Sequence, residues 1–346
     1  MQPLDARQPP DLHVLTGQVK ALARGLGFDL VGIAPAAASA RGAFFREWLS
    51  DGKAGEMTFL ADRIDERLDP AQFLPNARTV VCVAMNYFHP LNDEPKPGAC
   101  KPGDSAPDEF SFAQGKIARY ALGDDYHELI KNKLYAIADF LKDAVPGSYT
   151  RCGVDTAPIN ERELASRTGV GWVGKNTCVI NERIGSWLFL GSVLTTIDLP
   201  IDSPAVDRCG TCTRCIEACP TAAITPYQLD ARKCISYLTI EHPIEIDPTV
   251  QLKMGDWLFG CDICQDVCPW NSKAPATEIP ELQPRIASGR LVLQDVLNWH
   301  KEDFDRTFRR SAVKRIRLPQ LQRNARIAVE NGRGGLRESA GPSHND

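Results

Sequence analysis

Cys209-Gly-Thr-Cys212-Thr-Arg-Cys215-Ile-Glu-Ala-Cys219-Pro220 is the stretch on which the reading of this chain turns. A thiolate at every third residue lets the backbone wrap the corner of an iron–sulfur cube. The fourth cysteine, followed by proline, points away toward a second cube. Proline helps because it disfavours helix at the residue before it and turns the chain outward. A stretched partner run follows: Cys234 alone, then Cys261-Asp-Ile-Cys264-Gln-Asp-Val-Cys268-Pro269. The spacing assigns Cys209, Cys212, Cys215 and Cys268 to one 4Fe-4S cluster, and Cys219, Cys234, Cys261 and Cys264 to the other. Zinc would ask for paired knuckles rather than a triplet run with Cys-Pro. A disulfide framework would need an oxidising compartment. The opening Met-Gln-Pro-Leu-Asp carries neither the basic nor the apolar region of an export signal. A cytoplasmic protein holding iron on reduced thiols is therefore expected. Cys82, Cys100, Cys152 and Cys178 fall outside the pattern and read as small buried or loop residues.

The chain has 346 residues, far more than the 209–268 stretch that two cubes occupy, so more than one domain is expected. Its 43% apolar and 24% charged composition is that of a soluble globular protein. No run approaches the roughly 18 apolar residues of a membrane span. The net charge of −4 advertises no nucleic-acid partner globally. Locally the picture differs: residues 306–326 carry Arg306, Arg309, Arg310, Lys314, Arg315, Arg317, Arg323 and Arg326 with no carboxylate among them. Such a run suits either a solvated helix face or a phosphate backbone.

Residues 1–10 read as a disordered leader. Leu12, Leu15, Val19, Leu22 and Leu26 then repeat at helical spacing and stop at Gly27. Asp29–Ala34 reads as a strand, Arg41–Leu49 as a helix, and Thr79–Tyr87 as a strand buried on both faces. Residues 89–109, rich in Pro, Gly and Asp, read as a long loop. Asp125–Ala144 is the longest amphipathic helix. A strand into Val154, a helix from Glu161, and strands near Cys178–Ile180 and Trp187–Thr196 complete an α/β sandwich over 11–200. Leu199-Pro-Ile-Asp-Ser-Pro204 reads as a stiff linker into a ferredoxin-like domain, 201–280. Residues 281–346 read as helical, polar and basic, with a frayed end.

An electron carrier does not need 200 residues of α/β domain in front of its clusters. That domain lacks both the G-x-G-x-x-G of a dinucleotide fold and a P-loop. Asp125-x-His127-x-x-Ile130 is a near miss to the Asp-x-His-x-x-Gly motif that ligates cobalamin through His, and His127 reads as a surface helix residue. Gly169-Val-Gly-Trp-Val-Gly174-Lys175-Asn176-Thr177 is either a structural turn or a place where backbone meets a large flat ligand. Asp155, in Val154-Asp155-Thr156-Ala157-Pro158, stands at a strand end, where α/β folds place chemistry. It suits a general acid that keeps its proton near an apolar cofactor face, or a cap of the following turn.

Together these motifs resemble the cobalamin-dependent epoxyqueuosine reductases. The matching stretches are Ala118-Arg-Tyr-Ala-Leu-Gly-Asp-Asp-Tyr-His127, Val154–Pro158, Gly169–Thr177 and Gly185-Ser-Trp-Leu-Phe-Leu-Gly191. Further on come the first cysteine run, Cys234-Ile-Ser-Tyr-Leu-Thr239, and Gly260-Cys-Asp-Ile-Cys-Gln-Asp-Val-Cys-Pro-Trp-Asn271. The resemblance spans roughly residues 12–330. It implies an α+β protein: a nitroreductase-like α/β domain binding cobalamin, a two-cluster ferredoxin-like domain, and a short helical basic C-terminal segment. It implies an oxidoreductase that removes the epoxide oxygen from epoxyqueuosine at the wobble position of tRNA, with Asp155 as proton donor. It implies corrin contacts at Arg67, Arg119, Asp155, Trp172, Lys175, Asn176, Leu190 and Ser236, with no His ligand to cobalt. Arg315, Arg317 and Arg323 become the expected tRNA contacts. Electrons are expected from an external low-potential donor of flavodoxin or ferredoxin type, and the protein is expected to be a monomer. A respiratory reductive dehalogenase would share the cofactors, but that family resembles exported proteins with a Tyr acid. A plain electron carrier would leave Asp155 and the glycine–Trp loop without a use.

Overall fold

The computed structural model describes residues 10–91 and 114–339. The expected leader, most of the 89–109 loop, Cys100 and the chain end lie outside the described residues. Among those residues no helix is long and apolar enough to cross a membrane.

The helix Leu12–Gly25 begins where the Asp11 carboxylate accepts the His13 N–H at 2.8 Å, the N-cap that a short acidic side chain supplies. It ends with Gly27 at φ +91°, a left-handed turn that suits glycine. Its inward side chains, Leu15, Val19 and Ala23, are buried. They meet a four-stranded sheet in the order Leu30–Pro35, Thr79–Asn86, Leu188–Thr195, Thr150–Gly153, with every pairing antiparallel.

Every residue of Thr79–Asn86 is buried, as its apolar run requires. Side chains alternate across a strand, so the two faces have different partners. Val81, Val83 and Met85 pack under Leu15, Val19 and the helix Tyr126–Ala144, through Ile130, Leu134, Ile137 and Leu141. Val80 and Cys82 face Phe73, Ile159 and Leu164 on the opposite side. Continuous burial here comes from helices on both faces of an antiparallel sheet.

Beyond residue 200 the packing folds back on the first 200 residues. The 199–204 segment is strapped down: Asp202 accepts the Ile33 N–H at 2.8 Å and the Lys20 ammonium at 2.6 Å. A second sheet joins three distant stretches, with Gln114–Ile117 between Trp257–Phe259 and Arg290–Val292. Around it Ile117, Leu258, Phe259, Leu293, Phe304, Val313 and Leu321 form one buried core. The basic C-terminal segment therefore carries an apolar face, and its last helix, Leu318–Ser339, buries Leu321, Ala325 and Ala328. Each fully buried Leu or Phe contributes about 1.5–3 kcal/mol relative to exposure, so this segment is part of the folded body.

A buried polar knot joins the halves at Asn271. Its Oδ1 accepts the Ser186 N–H at 2.6 Å, and its Nδ2 donates to Ser186 Oγ at 2.9 Å and to the Gln265 carbonyl at 2.7 Å. Ser186 Oγ in turn donates to Gln265 Oε1 at 2.8 Å. Gln265 lies between Cys264 and Cys268, so this knot fixes the second cysteine run against the first domain.

Candidate active site and thiol cavities

Asp155 follows the edge strand Thr150–Gly153 with φ +48°, a left-handed conformation uncommon for a residue with a Cβ. Glu161 helps hold that turn: the Asp155 N–H donates to both Glu161 carboxylate oxygens at 3.1 Å. The Asp155 side chain, 59% exposed, puts Oδ2 3.0 Å from His127 Nε2. His127 Nδ1 lies 2.6 Å from Asp125 Oδ1. Asp125 also caps the helix Tyr126–Ala144 by accepting the His127 N–H at 3.0 Å. The result is a line of three groups, Asp125–His127–Asp155, ending at a carboxylate open to solvent.

The electrostatics follow from this placement. Burial opposes a charge on His127, but its hydrogen bonds to Asp125 and Asp155 push its pKa up to about 9. Burial, with the neighbouring Asp155 charge, pushes Glu161 up to about 8. Burial, reinforced by Asp155, also raises the phenols of Tyr120 and Tyr126, which stay protonated. Tyr126 stacks on Phe189 at 4.1 Å and on His127 at 4.2 Å, fixing the imidazole plane. His127 is thus no mere surface residue, and its neighbour Glu161 was visible only as a helix start. The missing glycine of the cobalamin motif masks the Asp125-x-His127 pair, whose two carboxylate contacts are built by folding.

Cys209, Cys212, Cys215 and Cys268 line one cavity of about 430 Å³. The Cys212 N–H closes a turn on the Cys209 carbonyl at 3.1 Å. Cys268, before Pro269, is extended at φ −71°, ψ 121°, as proline dictates. Cys219, Cys234, Cys261 and Cys264 lie within electrostatic reach of one another as a chain of pairs: Cys219 with Cys234, Cys234 with Cys261, and Cys264 with both of the latter. Cys178 is not an isolated loop thiol; it shares a hydrogen bond with Cys264. Among the described residues no three His, Cys, Asp or Glu side chains gather tightly enough for a single metal ion. The first four thiols border a space instead. One donor there has no protein partner: Trp172 Nε1 is buried, and the Trp172 ring packs with Cys209 and Cys268. An orphaned N–H on a ring packed against two of these thiols fits a site built for a sulfur-rich group.

The residues expected at the corrin divide. Arg67 has a buried Nε without a hydrogen-bond partner, within electrostatic reach of Glu161 and Asp155, which fits a polar group of a ligand. Leu190 is half-buried on the central sheet, paired with Ala84, and Ser236 is half-buried in the first turn after Cys234. Arg119 is 5% exposed, and its guanidinium is held by Asp266 at 2.7 Å and Asp262 at 3.5 Å, under the Trp187 ring. It bolts the second cysteine run to the first domain. Lys175 donates to the Gly210 and Cys212 carbonyls at 2.7 and 2.9 Å, and Asn176 bonds the Cys264 carbonyl at 3.4 Å. Lys175 and Asn176 line the thiol cavity, and Trp172 packs against Cys209 and Cys268. Gly171 and Gly174 are needed by the loop itself, since a Cβ on either would sit 2.4 Å from an Ile180 atom, the carbonyl oxygen in the case of Gly171.

Among the expected tRNA contacts, Arg317 is exposed, and Arg315 is half-open while paired with Glu241 at 2.9 Å. Arg323 is a correction. It is 7% exposed, and its guanidinium donates to the carbonyls of Leu238, His242 and Ile244 at 2.6–2.7 Å. Helical spacing turns it inward, away from any RNA.

Two family profiles match the chain: "4Fe-4S double cluster binding domain" over residues 208–271, and "Epoxyqueuosine reductase QueG, DUF1730" over residues 67–156. The epoxyqueuosine reductase of Gloeobacter violaceus is 40% identical over 320 residues, covering 90% of this chain and 95% of that protein. The chain belongs to the epoxyqueuosine reductase family. It is an oxidoreductase whose residues 208–271 are of the double 4Fe-4S cluster type. The Xanthomonas campestris epoxyqueuosine reductase is 38% identical, covering 94% of this chain and 89% of its own. A crystal structure of epoxyqueuosine reductase with an epoxyqueuosine-modified tRNA-Tyr stem loop is similar at a TM-score of 0.81 and 28% identity, over 97% of this chain and 87% of that one. A Bacillus subtilis epoxyqueuosine reductase with its catalytic Asp loop swung out of the active site is similar at 0.79 and 28%, with the same coverage.

Proposed function

We propose that this chain reduces epoxyqueuosine to queuosine at the wobble position of tRNA, with cobalamin as cofactor, Asp155 as proton donor and electrons from two 4Fe-4S clusters. Family membership supports the reaction. The observation that carries the chemistry is the Asp125–His127–Asp155 line, ending in a solvent-facing carboxylate within electrostatic reach of Arg67, whose Nε is buried without a partner. Residues 11–200 would form the nitroreductase-like cobalamin domain, 201–280 the cluster domain, and 281–346 the basic segment that meets RNA. Arg67, Leu190 and Ser236 would hold the corrin; when bound, cobalamin supplies the nucleophilic and redox chemistry of epoxide opening. Cys209, Cys212, Cys215 and Cys268 would hold one cluster, and Cys219, Cys234, Cys261 and Cys264 the other. A low-potential flavodoxin- or ferredoxin-type donor would load them, within the range of about −700 to +450 mV that such clusters span.

The residues of this chain then move one proton. Asp155 protonates the oxygen of the opening epoxide, and His127, protonated at neutral pH, hands Asp155 its next proton from Nε2. Asp125 holds the imidazole orientation through Nδ1, as a carboxylate behind a catalytic His does. A wobble base can reach such a site because an anticodon loop is single-stranded and can splay its bases.

The test is nucleoside mass spectrometry on epoxyqueuosine-containing tRNA, after anaerobic incubation with reconstituted protein, cobalamin and a strong reductant. We expect the nucleoside to lose the mass of one oxygen only when cobalamin is present. Retention of that oxygen, with both clusters and the corrin bound, would refute the reading.

A further inference from the structure

Phe59 and Arg315 are far apart in the chain, yet the Arg315 guanidinium stands over the Phe59 ring at 5.8 Å. Phe59 sits in the single turn Thr58–Leu60 and is 44% exposed. One exposed apolar side chain is ordinary, but among the described residues this is the only exposed Phe or Trp. Its turn is pinned. The Tyr237 hydroxyl accepts the Glu56 N–H at 2.7 Å, and Met57 packs against the buried cluster that contains Tyr237 and Leu238. Arg315 is held as firmly: its Nε and Nη2 donate to the two oxygens of Glu241 at 3.1 and 2.9 Å. Glu241 answers that charge, so what Arg315 adds here is a flat guanidinium in a fixed orientation. Both anchors come from one element. Tyr237 lies in the helix Ile235–Ile240, Glu241 caps its C-terminal end, and Cys234 precedes its first residue. The same helix carries Ser236, and Arg315 is within electrostatic reach of Asp155. The ring and the guanidinium therefore border the place where the proposed reaction needs the wobble nucleoside.

We propose that Phe59, with Arg315 beside it, is a stacking platform for a base of the anticodon loop adjoining the wobble position. The proposal rests on the tRNA reading and adds the residues that hold the loop once its bases splay. Proteins bind single-stranded RNA by laying unpaired bases on aromatic rings and on guanidinium planes, and this pair offers one of each. A wobble nucleoside drawn toward Asp155 leaves the stack of the loop, so its neighbour loses a partner. A fixed ring at the rim replaces that lost contact. Stacking depends on flat area and not on net charge, so it works at a pair whose cation already has a carboxylate. A ring in this place would also suit the edge of a bound corrin, and the experiment separates the two uses.

Binding of an epoxyqueuosine-modified anticodon stem loop to the holoprotein, with both clusters and cobalamin, is measured by fluorescence anisotropy across a salt series. The loops are the intact one and two that lack the base just before or just after the wobble nucleoside. The proteins are the native chain, Phe59→Ala and Phe59→Trp. We expect Phe59→Ala to weaken binding of the intact loop about 5- to 150-fold, the loss that one stacked base carries, and Phe59→Trp to bind it as the native chain does. The salt slope should not move, because a lost stack changes no phosphate contact. One of the two abasic loops should bind the native chain as weakly as the intact loop binds Phe59→Ala. That loop should lose nothing further with Phe59→Ala, as expected of two partners in one contact. Additive losses for both abasic loops, or unchanged affinity of Phe59→Ala for the intact loop, would overturn the platform and leave the reaction standing. Lower cobalamin content in Phe59→Ala, with RNA affinity intact, would give the ring to the corrin and overturn the platform too. No binding of the intact loop by the native holoprotein would overturn the tRNA reading itself, and the platform with it.

Discussion

Burial alone would strip the proton from His127; the carboxylates at its two nitrogens, 2.6 and 3.0 Å away, outweigh that cost and hold its pKa near 9. The acid at this site is therefore a pair, and its members should fail together. Asp155→Ala should lower the rate on the order of 10²–10⁴, and His127→Gln/Asp155→Ala should be little worse than Asp155→Ala, as expected of groups acting as one unit. Single-turnover rates across pH should fall as pH rises through about 9 in the native enzyme and lose that limb in His127→Gln. Stability follows the same proton. A His whose folded pKa lies above its unfolded 6.5 contributes fully below pH 6.5, and that contribution is lost as pH rises through 9. Glu161 also favours its protonated form when folded, at about 8 against 4.5, so its share declines as pH rises from 4.5 to 8. Denaturant melts at stepped pH separate them: Glu161→Gln should flatten the lower window, and His127→Gln the upper. A Glu161→Gln protein that keeps the full decline between 4.5 and 8 would show that Glu161 is not its source.

Among the elements, the cysteine runs and the strand Thr79–Asn86 were readable because their information is local: ligand spacing in one case, an unbroken apolar run in the other. The helices Leu12–Gly25 and Tyr126–Ala144 were readable for the same reason, each announced by an apolar stripe at helical spacing; their Asp11 and Asp125 caps came only with the structure. What was not readable is pairing at a distance. Asn271 looks like a loop residue after Cys-Pro-Trp, yet its partner Ser186 lies 85 residues earlier. The strand Gln114–Ile117 has only four residues, and its two neighbours start more than a hundred residues downstream. Asn271→Ala should expose how much the halves depend on that knot. It leaves the buried Ser186 N–H unsatisfied, at about 1–3 kcal/mol, while the Ser186 hydroxyl keeps Gln265 Oε1 and the Gln265 carbonyl keeps the Cys268 N–H. Chemical denaturation should show a lower midpoint, and iron should be lost earlier along the curve, because Gln265 sits between Cys264 and Cys268. Iron release coincident with that of the native protein would detach the knot from the cluster domain.

For the molecule as a whole, the basic stretch 306–326 shows why a charge run in sequence is not yet a binding surface. Its residues belong to a folded segment whose other face is core: Arg323 is buried there, and of the exposed cations Arg306, Arg310, Lys314 and Arg315 each pair with a carboxylate. Arg323 has its guanidinium on three backbone carbonyls inside the protein, while Arg317 is exposed and Arg315 is tethered to Glu241 at the edge. The same substitution should therefore have two different consequences. Arg317→Gln and Arg315→Gln should weaken binding of an epoxyqueuosine stem loop and flatten its dependence on salt. Each phosphate that is no longer neutralised should reduce the slope of log affinity against log salt by about 0.7–0.9. Arg323→Gln should leave that slope as it is and instead lower the melting midpoint, since three carbonyls lose a charged donor in the interior. Fluorescence anisotropy across a salt series, run beside thermal melts of the same three variants, resolves the two classes. A reduced salt slope for Arg323→Gln with unchanged stability would mean that this side chain leaves its carbonyls to meet RNA. An unchanged slope for Arg317→Gln and Arg315→Gln would move the RNA contact off this segment, onto the surfaces around Asp155.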